Sequence, residues 1–239
     1  MSTTEENIAA VQDSEYRLPA LCTFGGLLIG IAIARMLLAR CHDCSDSLYL
    51  FRSIIPLQLF SVALALASLG RMFSRHRICQ VLDMPAQPPS VRHCLAYIAL
   101  ALMILYPAIF LATELATLLC NFLGIPVIEQ AFAKLPPGTS IPHILTLLVA
   151  ALVLAPLSEE LMMRLMLFRA IRSYWSAGAA VLASLVFAAF HGCPQYMPGL
   201  FLVGMALQKM RDKGGLPLAM VFHAVFNAIS LAMVNCLAD

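Results

Sequence analysis

The chain alternates between long apolar runs and short polar connections, which is typical of a protein that crosses a membrane several times. A helix needs about 20 apolar residues to cross the hydrocarbon core, within a range of about 17–25. Seven runs meet or approach this length: Leu18–Leu38, Ile54–Gly70, Cys94–Leu119, Pro142–Ala170, Ala177–His191, Pro198–Met210 and Pro217–Leu237. Because lipid cannot satisfy the backbone of an open strand, each run is expected to be helical. The pattern predicts an all-α fold, a polytopic transmembrane helix bundle of about seven spans.

Composition supports the same fold class. Hydrophobic residues make up 61% of the chain and charged residues 12%, and the mean hydropathy is +0.87. Soluble domains carry about 25% charged residues, so this chain has too few for a surface that faces water everywhere. The net charge of +2 is spread without a basic stripe, which excludes nucleic acid as an expected partner and leaves membrane lipids.

The distribution of polar and basic residues predicts an organisation and an orientation. A polar tail at 1–17 lacks the features of a cleaved secretory signal. It precedes one group of transmembrane helices at 18–119 and a second at 142–237. If the spans alternate in direction, the Lys and Arg residues of the connections concentrate on the side of the N-terminus. We therefore expect a multi-pass protein of the cell (inner) membrane with a cytoplasmic N-terminus.

Ionisable residues inside apolar runs are the strongest functional signal in the sequence. Such groups cost several kcal/mol in a bilayer, from about 2.5 upward, and usually mark a functional site. Three runs carry them, in the patterns Glu159-Glu160-x-x-x-Arg164, Phe187-x-x-x-His191 and His223-x-x-x-Asn227. Measured along their helices, the polar residues of the three runs lie at overlapping depths. We therefore expect them to converge on one buried site.

Helical spacing suggests different roles for these residues. Glu160 and Arg164 stand four residues apart with the acid first, which is the favourable order for an ion pair. Glu159 lies about 100° further around the helix, so one carboxylate is expected to be held by the arginine and the other to be available as a base. His223 and Asn227 share one face of their helix and could direct two donors at a single oxygen.

In the order and spacing of these motifs, the segment of about Pro142–Leu237 resembles the CPBP intramembrane proteases, the group that contains the CAAX proteases and bacteriocin-processing proteins. This group includes the type II CAAX prenyl endopeptidases. The chain departs from many members at two positions, with Leu165 in place of a glycine after the arginine and Met163 in place of an aromatic residue before it. These positions concern packing near the site and leave the polar residues unchanged.

The resemblance implies a role for each matching residue. Glu159 would be the catalytic glutamate, and His191 would position or activate the attacking water with it. His223 and Asn227 would stabilise the tetrahedral oxyanion. Glu160 and Arg164 would support the site.

The function implied is that of an intramembrane endopeptidase, which uses glutamate- and histidine-activated water to hydrolyse a peptide bond of a membrane-associated protein or peptide. The substrate could be prenylated or a bacteriocin-like leader peptide. No catalytic metal is favoured, although Glu159, His191 and His223 could bind zinc. Two alternatives stay open from the sequence: a proton-coupled membrane transporter, and a catalytically inactive scaffold or immunity protein.

Two further features have simpler interpretations. Cys41-His-Asp-Cys44 could form a metal or redox site, but it has no second pair of ligands nearby, and a zinc site needs about four. Its expected position on the outer side also permits a local disulfide. Glu114 lies near the outer end of the third run and is interpreted as an interfacial residue.

Overall fold

The computed structural model describes residues 16–18, 21–22, 25, 55–75, 82–127, 135 and 138–236, and no strand occurs among them. The prediction of an all-α fold is confirmed for this part of the chain. A short 3₁₀ turn, Pro194–Tyr196, precedes the last helix. The helices are α1 (Ile55–Arg75), α2 (Val91–Leu123), α3 (Ile141–Arg172), α4 (Ala179–Phe190) and α5 (Met197–Cys236).

Three described segments are long and apolar enough to cross a membrane: α2, α3 and the continuous stretch Pro194–Cys236. Large apolar side chains such as Phe110 and Phe122 are exposed along α2, which suits a lipid-facing surface. The first predicted span, Leu18–Leu38, and the Cys41–Cys44 motif lie almost wholly or wholly outside the described residues. The number of about seven spans therefore stays a prediction.

The ends of α2 show why the helix covers more than the predicted span. The side chain of Ser90 accepts a hydrogen bond from the backbone N–H of His93, so it caps the first turn. At the other end Gly124 adopts a left-handed conformation, with φ of 67°, which ends the helix. Pro107 lies inside α2, where it removes one backbone hydrogen bond.

Two predicted spans, Pro198–Met210 and Pro217–Leu237, both fall within α5. The helix is interrupted where Gly214 (φ −138°, ψ 15°) and Gly215 (φ 76°, ψ −176°) leave helical geometry. The interruption separates a first arm, 197–213, from a second arm, 216–236.

Contacts to α3 show that the chain reverses direction at this interruption. Arg164 donates to the carbonyl of Gly204 in the first arm, while Glu160, its ion-pair partner, contacts His223 in the second arm. Along one straight helix Gly204 and His223 would be separated by about 28 Å, which is further than these linked contacts can span. α5 is therefore a helical hairpin, and its arms correspond to the two predicted spans.

The turn of the hairpin is fixed by the segment that leads into α2. Gly215 has a φ of 76°, and a Cβ atom there would lie 2.8 Å from the carbonyl oxygen of Asp83. Only glycine tolerates both the left-handed backbone and this close approach. Leu82 O also accepts a hydrogen bond from Leu216 N–H at 2.9 Å.

Asp83 connects this turn to the end of α3 through charge. Its carboxylate forms ion pairs with Arg169 of α3 and Arg211 of the first arm. Both arginines are only 4% exposed, so two buried guanidinium groups share one carboxylate. Removing that carboxylate would leave two desolvated cations close together, which is more costly than losing an exposed ion pair.

The core lies where α2, α3, α4 and both arms of α5 meet. Phe187 of α4 and Val203, Leu207 and Phe222 of α5 are at most 2% exposed and belong to one apolar cluster. This cluster surrounds the polar residues described below and excludes water from one side of them.

Replacing Asp83 with Asn is expected to lower the free energy of unfolding by about 2 kcal/mol or more. Arg169 and Arg211 keep their positive charges in this variant, but the carboxylate that they share is no longer there to balance them. Chemical denaturation of the purified protein in detergent micelles measures this change. The control is Asp212→Asn, which removes the charge of an exposed acid and keeps an oxygen that can accept from Nε2 of Gln208. It is expected to change stability by no more than about 0.5 kcal/mol. A wild-type denaturation midpoint for Asp83→Asn would contradict the role given to this ion cluster.

Candidate functional site

The backbone of α3 is not a regular α-helix at the predicted site. Two stretches, Ala150–Leu154 and Glu160–Leu167, are π-helical, so an N–H group bonds the carbonyl five residues earlier instead of four. Glu160 and Arg164 form an ion pair as their spacing predicts, but they do so in a π-helical segment and not in the regular α-helix expected from the sequence. Hydrophobic periodicity does not reveal such a local change of register, and π-helical turns are frequent at functional sites.

Pro156 explains why one of these stretches needs help from another helix. Ala155 N–H donates to Ala150 O, five residues earlier. In the same register the carbonyl of Ala151 would accept from residue 156, but proline has no N–H group. The side chain of Asn227 supplies the missing donor, with Nδ2 at 2.8 Å from Ala151 O. The second arm of α5 thus completes the hydrogen bonding of α3.

Glu160 is fully buried, and its two oxygens have different partners. Oε1 lies 3.0 Å from Nδ1 of His223, and Oε2 lies 3.6 Å from Nε of Arg164. A carboxylate that is paired with an arginine only accepts hydrogen bonds, so Nδ1 of His223 donates. Both oxygens of Glu160 are therefore directed at protein groups.

Arg164 is also fully buried and is held by its surroundings. Its Nη2 donates to Gly204 O at 3.2 Å, and its guanidinium carbon lies 4.9 Å from the centre of the Phe187 ring, within cation–π distance. A Cβ atom at Gly204 would lie 2.8 Å from Cβ of Ser184. The absent side chain at Gly204 therefore lets α4 and the first arm of α5 approach closely enough to present this carbonyl to Arg164.

Glu159 differs from its neighbour mainly in exposure, since Oε2 of each carboxylate lacks a hydrogen-bond partner among the described residues. Its side chain is 24% exposed, and Oε2 lies 3.8 Å from Nε2 of His223. This oxygen is buried and has no hydrogen-bond partner in the described part of the chain. A buried acceptor without a partner is costly, so Glu159 has an unused capacity to bind water or a substrate group.

His191 ends α4, and the end of the helix orients its ring. Its backbone N–H bonds Ala188 O in a tightened last turn, which leaves the carbonyl of Phe187 available. Nδ1 of His191 lies 2.9 Å from Phe187 O, and because a carbonyl only accepts, Nδ1 is the protonated nitrogen. Nε2 of the neutral ring is then an acceptor. Gly192, with φ of 68°, turns the chain away immediately afterwards.

His223 and Asn227 each use one donor within the protein. His223 donates from Nδ1 to Glu160, and Asn227 donates from Nδ2 to Ala151 O. An amide carries two N–H donors and an imidazolium carries one on each nitrogen. The second amide hydrogen of Asn227 is therefore left for a ligand, while Nε2 of His223 accepts in the neutral ring and donates in the protonated ring.

One cavity of about 880 Å³ brings the predicted residues together. Glu159, His191, His223 and Asn227 all line this cavity. The rest of the wall is mainly apolar and comes from α1, α2, α3 and both arms of α5. Glu160 and Arg164 lie behind this wall and contact the cavity only through their neighbours.

The predicted zinc ligands do not form a metal site in this arrangement. Across residues 55–75, 82–127 and 138–236, no group of three His, Cys, Asp or Glu side chains is placed to hold a metal ion. Glu159 lies near His223, while Nδ1 of His191 is directed at a backbone carbonyl. The geometry therefore gives no three-residue ligand set for zinc, which needs about four ligands in all.

Two aromatic residues of the site were not predicted to have a role. The ring of Phe187 packs edge-on against His191 at 4.9 Å and against His223 at 6.1 Å between ring centres, so it separates and orients both imidazoles. The hydroxyl of Tyr106 donates to Phe226 O at 3.1 Å, and this tyrosine lines the cavity. Phe187 belongs to a motif seen in the sequence. Tyr106 belongs to no motif, so the sequence gives no indication that it lines a site.

Residues 141–229 match the family model of the type II CAAX prenyl endopeptidase Rce1-like proteins. The match confirms the resemblance indicated by the motifs, over the segment that carries all of the predicted site residues. No curated protein and no solved structure matches the chain.

The link between Pro156 and Asn227 leads to a double-mutant prediction. Asn227→Ala alone is expected to lower the free energy of unfolding by about 1–3 kcal/mol, because it leaves Ala151 O without its donor. In a Pro156→Ala background, residue 156 regains an N–H group that can serve this carbonyl. The cost of Asn227→Ala is then expected to be smaller by about 1 kcal/mol.

Chemical denaturation of the four proteins in micelles measures this coupling. Asn235→Ala serves as the control, since Asn235 lies on the same arm but bonds Leu231 O and Leu135 N–H. Its cost is expected to be equal in both backgrounds. An equal cost of Asn227→Ala in both backgrounds would show that Asn227 does not replace the missing donor.

Proposed function

We propose that this protein is an intramembrane endopeptidase in which Glu159 is the general base that activates water. Two facts support the proposal: the family match over residues 141–229 and the position of the site among helices long enough to cross a membrane. We further propose the orientation expected from the loop charges, with a cytoplasmic N-terminus in the cell membrane.

The observation that carries the proposal is the division of work between two adjacent carboxylates. Glu160 is fully buried and contacts both Arg164 and His223. Glu159 lines the cavity, and its Oε2 has no hydrogen-bond partner in the part of the chain that the structure describes. A structural ion pair would need only one of the two acids, so the second is available for chemistry.

In the proposed reaction, water binds in the cavity between Glu159 and His191. The carboxylate of Glu159 accepts one proton as the water oxygen attacks the carbonyl carbon of the scissile peptide bond. Nε2 of His191 accepts a hydrogen bond from the same water and fixes its direction, because Nδ1 is already held by Phe187 O. Proton transfer by a placed side chain contributes about 10²–10⁴ to the rate.

The negative charge that develops on the substrate oxygen is stabilised by donors from α5. Nε2–H of protonated His223 and the second amide hydrogen of Asn227 are the groups proposed for this role. Losing one such donor typically costs about 10²–10³ in rate. The tetrahedral intermediate then collapses: the C–N bond breaks, and the proton held by Glu159 passes to the leaving amine.

Each of these proposed steps uses side chains of the chain itself. We propose that the substrate is a membrane-associated protein or peptide, because the cavity wall around the polar residues is mainly apolar. An apolar leader peptide or a prenylated chain end would suit such a wall.

Cleavage assays with membrane-tethered peptides test the proposal. Glu159→Gln is expected to lower kcat by at least about 100-fold, because the amide cannot accept the proton, while stability stays close to that of the wild type. Glu160→Gln is expected to lower activity and also to destabilise the protein by about 3–5 kcal/mol, because it leaves Arg164 buried without its anion. A chelator is expected to leave wild-type activity unchanged.

Three outcomes would count against the proposal. Full activity of Glu159→Gln would remove the general base, and loss of wild-type activity with chelator would point to a metal. Proton-driven solute uptake by proteoliposomes, without cleavage of any peptide, would favour a transporter.

A further inference from the structure

Glu114 is the only acidic residue of α2 and has no part in the proposed mechanism. The helix has a mean hydropathy of 2.4 over its most apolar window, and a carboxylate in such a segment is costly unless it has a use. Its side chain is exposed, and it forms no hydrogen bond or ion pair with any residue that the structure describes. Instead of facing only the lipid headgroups, it lines the cavity of the candidate site.

Glu114 lies at the level of the beginning of α5. A Cβ atom at Gly199 would lie 3.3 Å from Oγ1 of Thr113, so this part of α2 packs against the beginning of α5. Gly199 and Gly204, whose carbonyl holds Arg164, are about 7–8 Å apart along the first arm. Glu114 is therefore about one and a half turns of helix from the level of Gly204, whose carbonyl accepts from Arg164.

Apart from the second amide hydrogen of Asn227, the uncommitted polar atoms of the cavity wall include several acceptors. Besides the carboxylate of Glu114, Oε1 of Gln58 is buried without a hydrogen-bond partner among the described residues and lines the same cavity. Tyr106 and Ser230, by contrast, bond each other at 3.1 Å. No Lys or Arg is found in the wall formed by the described residues. The described wall therefore offers two carboxylates, Glu159 and Glu114, and its only groups that can carry a positive charge are the imidazoles of His191 and His223.

We propose that Glu114 forms a cation-binding subsite, so that the preferred substrate carries a positively charged group within about five residues of the scissile bond. This proposal rests on the proposed function, since it uses the same cavity. The group can be a Lys or Arg side chain or an N-terminal ammonium, which share the chemistry that a carboxylate recognises. A residue of extended peptide spans about 3.3 Å, so a few residues cover the distance from the reacting carbonyl to Glu114.

The same reasoning disfavours an acidic group at this point of the substrate. A substrate carboxylate beside Glu114 would meet a like charge with no arginine or lysine in the described wall to offset it, which disfavours its binding. Because Glu114 is itself exposed, part of the attraction for a cation is screened. We therefore expect a preference of about 10-fold for a cationic over a neutral substrate.

Competition between matched peptides tests the subsite with the full-length protein in nanodiscs. The peptides are variants of one apolar sequence, each with Lys, Gln or Glu at one position near the cleavage point. Every variant is prepared with a free and with an acetylated N-terminus. The wild type is expected to show a kcat/KM about 10-fold higher for Lys than for Gln at one or two positions. Glu114→Gln is expected to lose this preference while it still cleaves the Gln peptide at the wild-type rate.

A charge reversal makes the assignment specific. Glu114→Lys is expected to prefer the Glu peptide over the Lys peptide, whereas the control Asp212→Asn, which removes an exposed acid on the far side of Gly204 along the first arm, keeps the wild-type order. If acetylation alone abolishes the preference, the cation is the N-terminal ammonium; if it has no effect, the cation is a side chain. A Lys preference that survives in Glu114→Gln would overturn the proposal.

Binding separates this inference from the proposed function. In the Glu159→Gln background, which is expected not to cleave, Lys peptides should still bind about 10-fold more tightly than Gln peptides, and Glu114→Gln should remove the difference. Charge-independent cleavage that requires Glu159 would refute the subsite alone. Charge-dependent binding without any cleavage by the wild type would refute the proposed reaction alone.

Discussion

The carboxylate of Glu160 is the point on which the rest of the site depends. It is fully buried, and it contacts an equally buried Arg164 and the imidazole of His223. A charge in such a place is tolerated only when its partners are fixed, so the contact draws α3 and the second arm of α5 together. Arg164 extends the network to Gly204 in the first arm. One charge network therefore holds α3 against both arms of α5, and it fixes Glu159, the residue next to Glu160, beside the cavity.

The backbone of α3 shows a second constraint, which comes from what proline lacks. Pro156 offers no N–H group, and the π-helical register around it leaves the carbonyl of Ala151 in need of a donor. Asn227 provides that donor from across the bundle. The same asparagine lines the cavity. One of its amide hydrogens bonds α3, and the other is the donor proposed for the oxyanion. Asn227 therefore has a structural role in α3 as well as its proposed role in the reaction.

Much of this arrangement could be predicted from the sequence because its signals are local. Apolar runs of membrane length predicted helices, and polar residues at overlapping depths predicted a common site. In the structure, Glu159, His191, His223 and Asn227 line one cavity. Other features depend on contacts between distant residues and leave no local trace. Nothing near Asp83 indicates that it pairs with Arg169 and Arg211. The spacing of His223 and Asn227 suggested a shared ligand, whereas each also has its own partner in α3, and the π-helical register is invisible to hydrophobic periodicity.

The helical hairpin of α5 has a consequence for the time at which the site comes into being. The partner of Glu160 in the second arm lies 63 residues further along the chain, beyond the turn at Gly214 and Gly215. During synthesis the helices containing Glu159 and His191 are made first, and at that stage the cavity lacks one wall and the buried acid lacks its histidine. Only when the last helix folds back along the first arm do the carboxylates, imidazoles and amide meet. A chain interrupted before that moment has the apolar surfaces of a membrane protein but no assembled site, so any activity of the site begins only when synthesis of the last helix is complete.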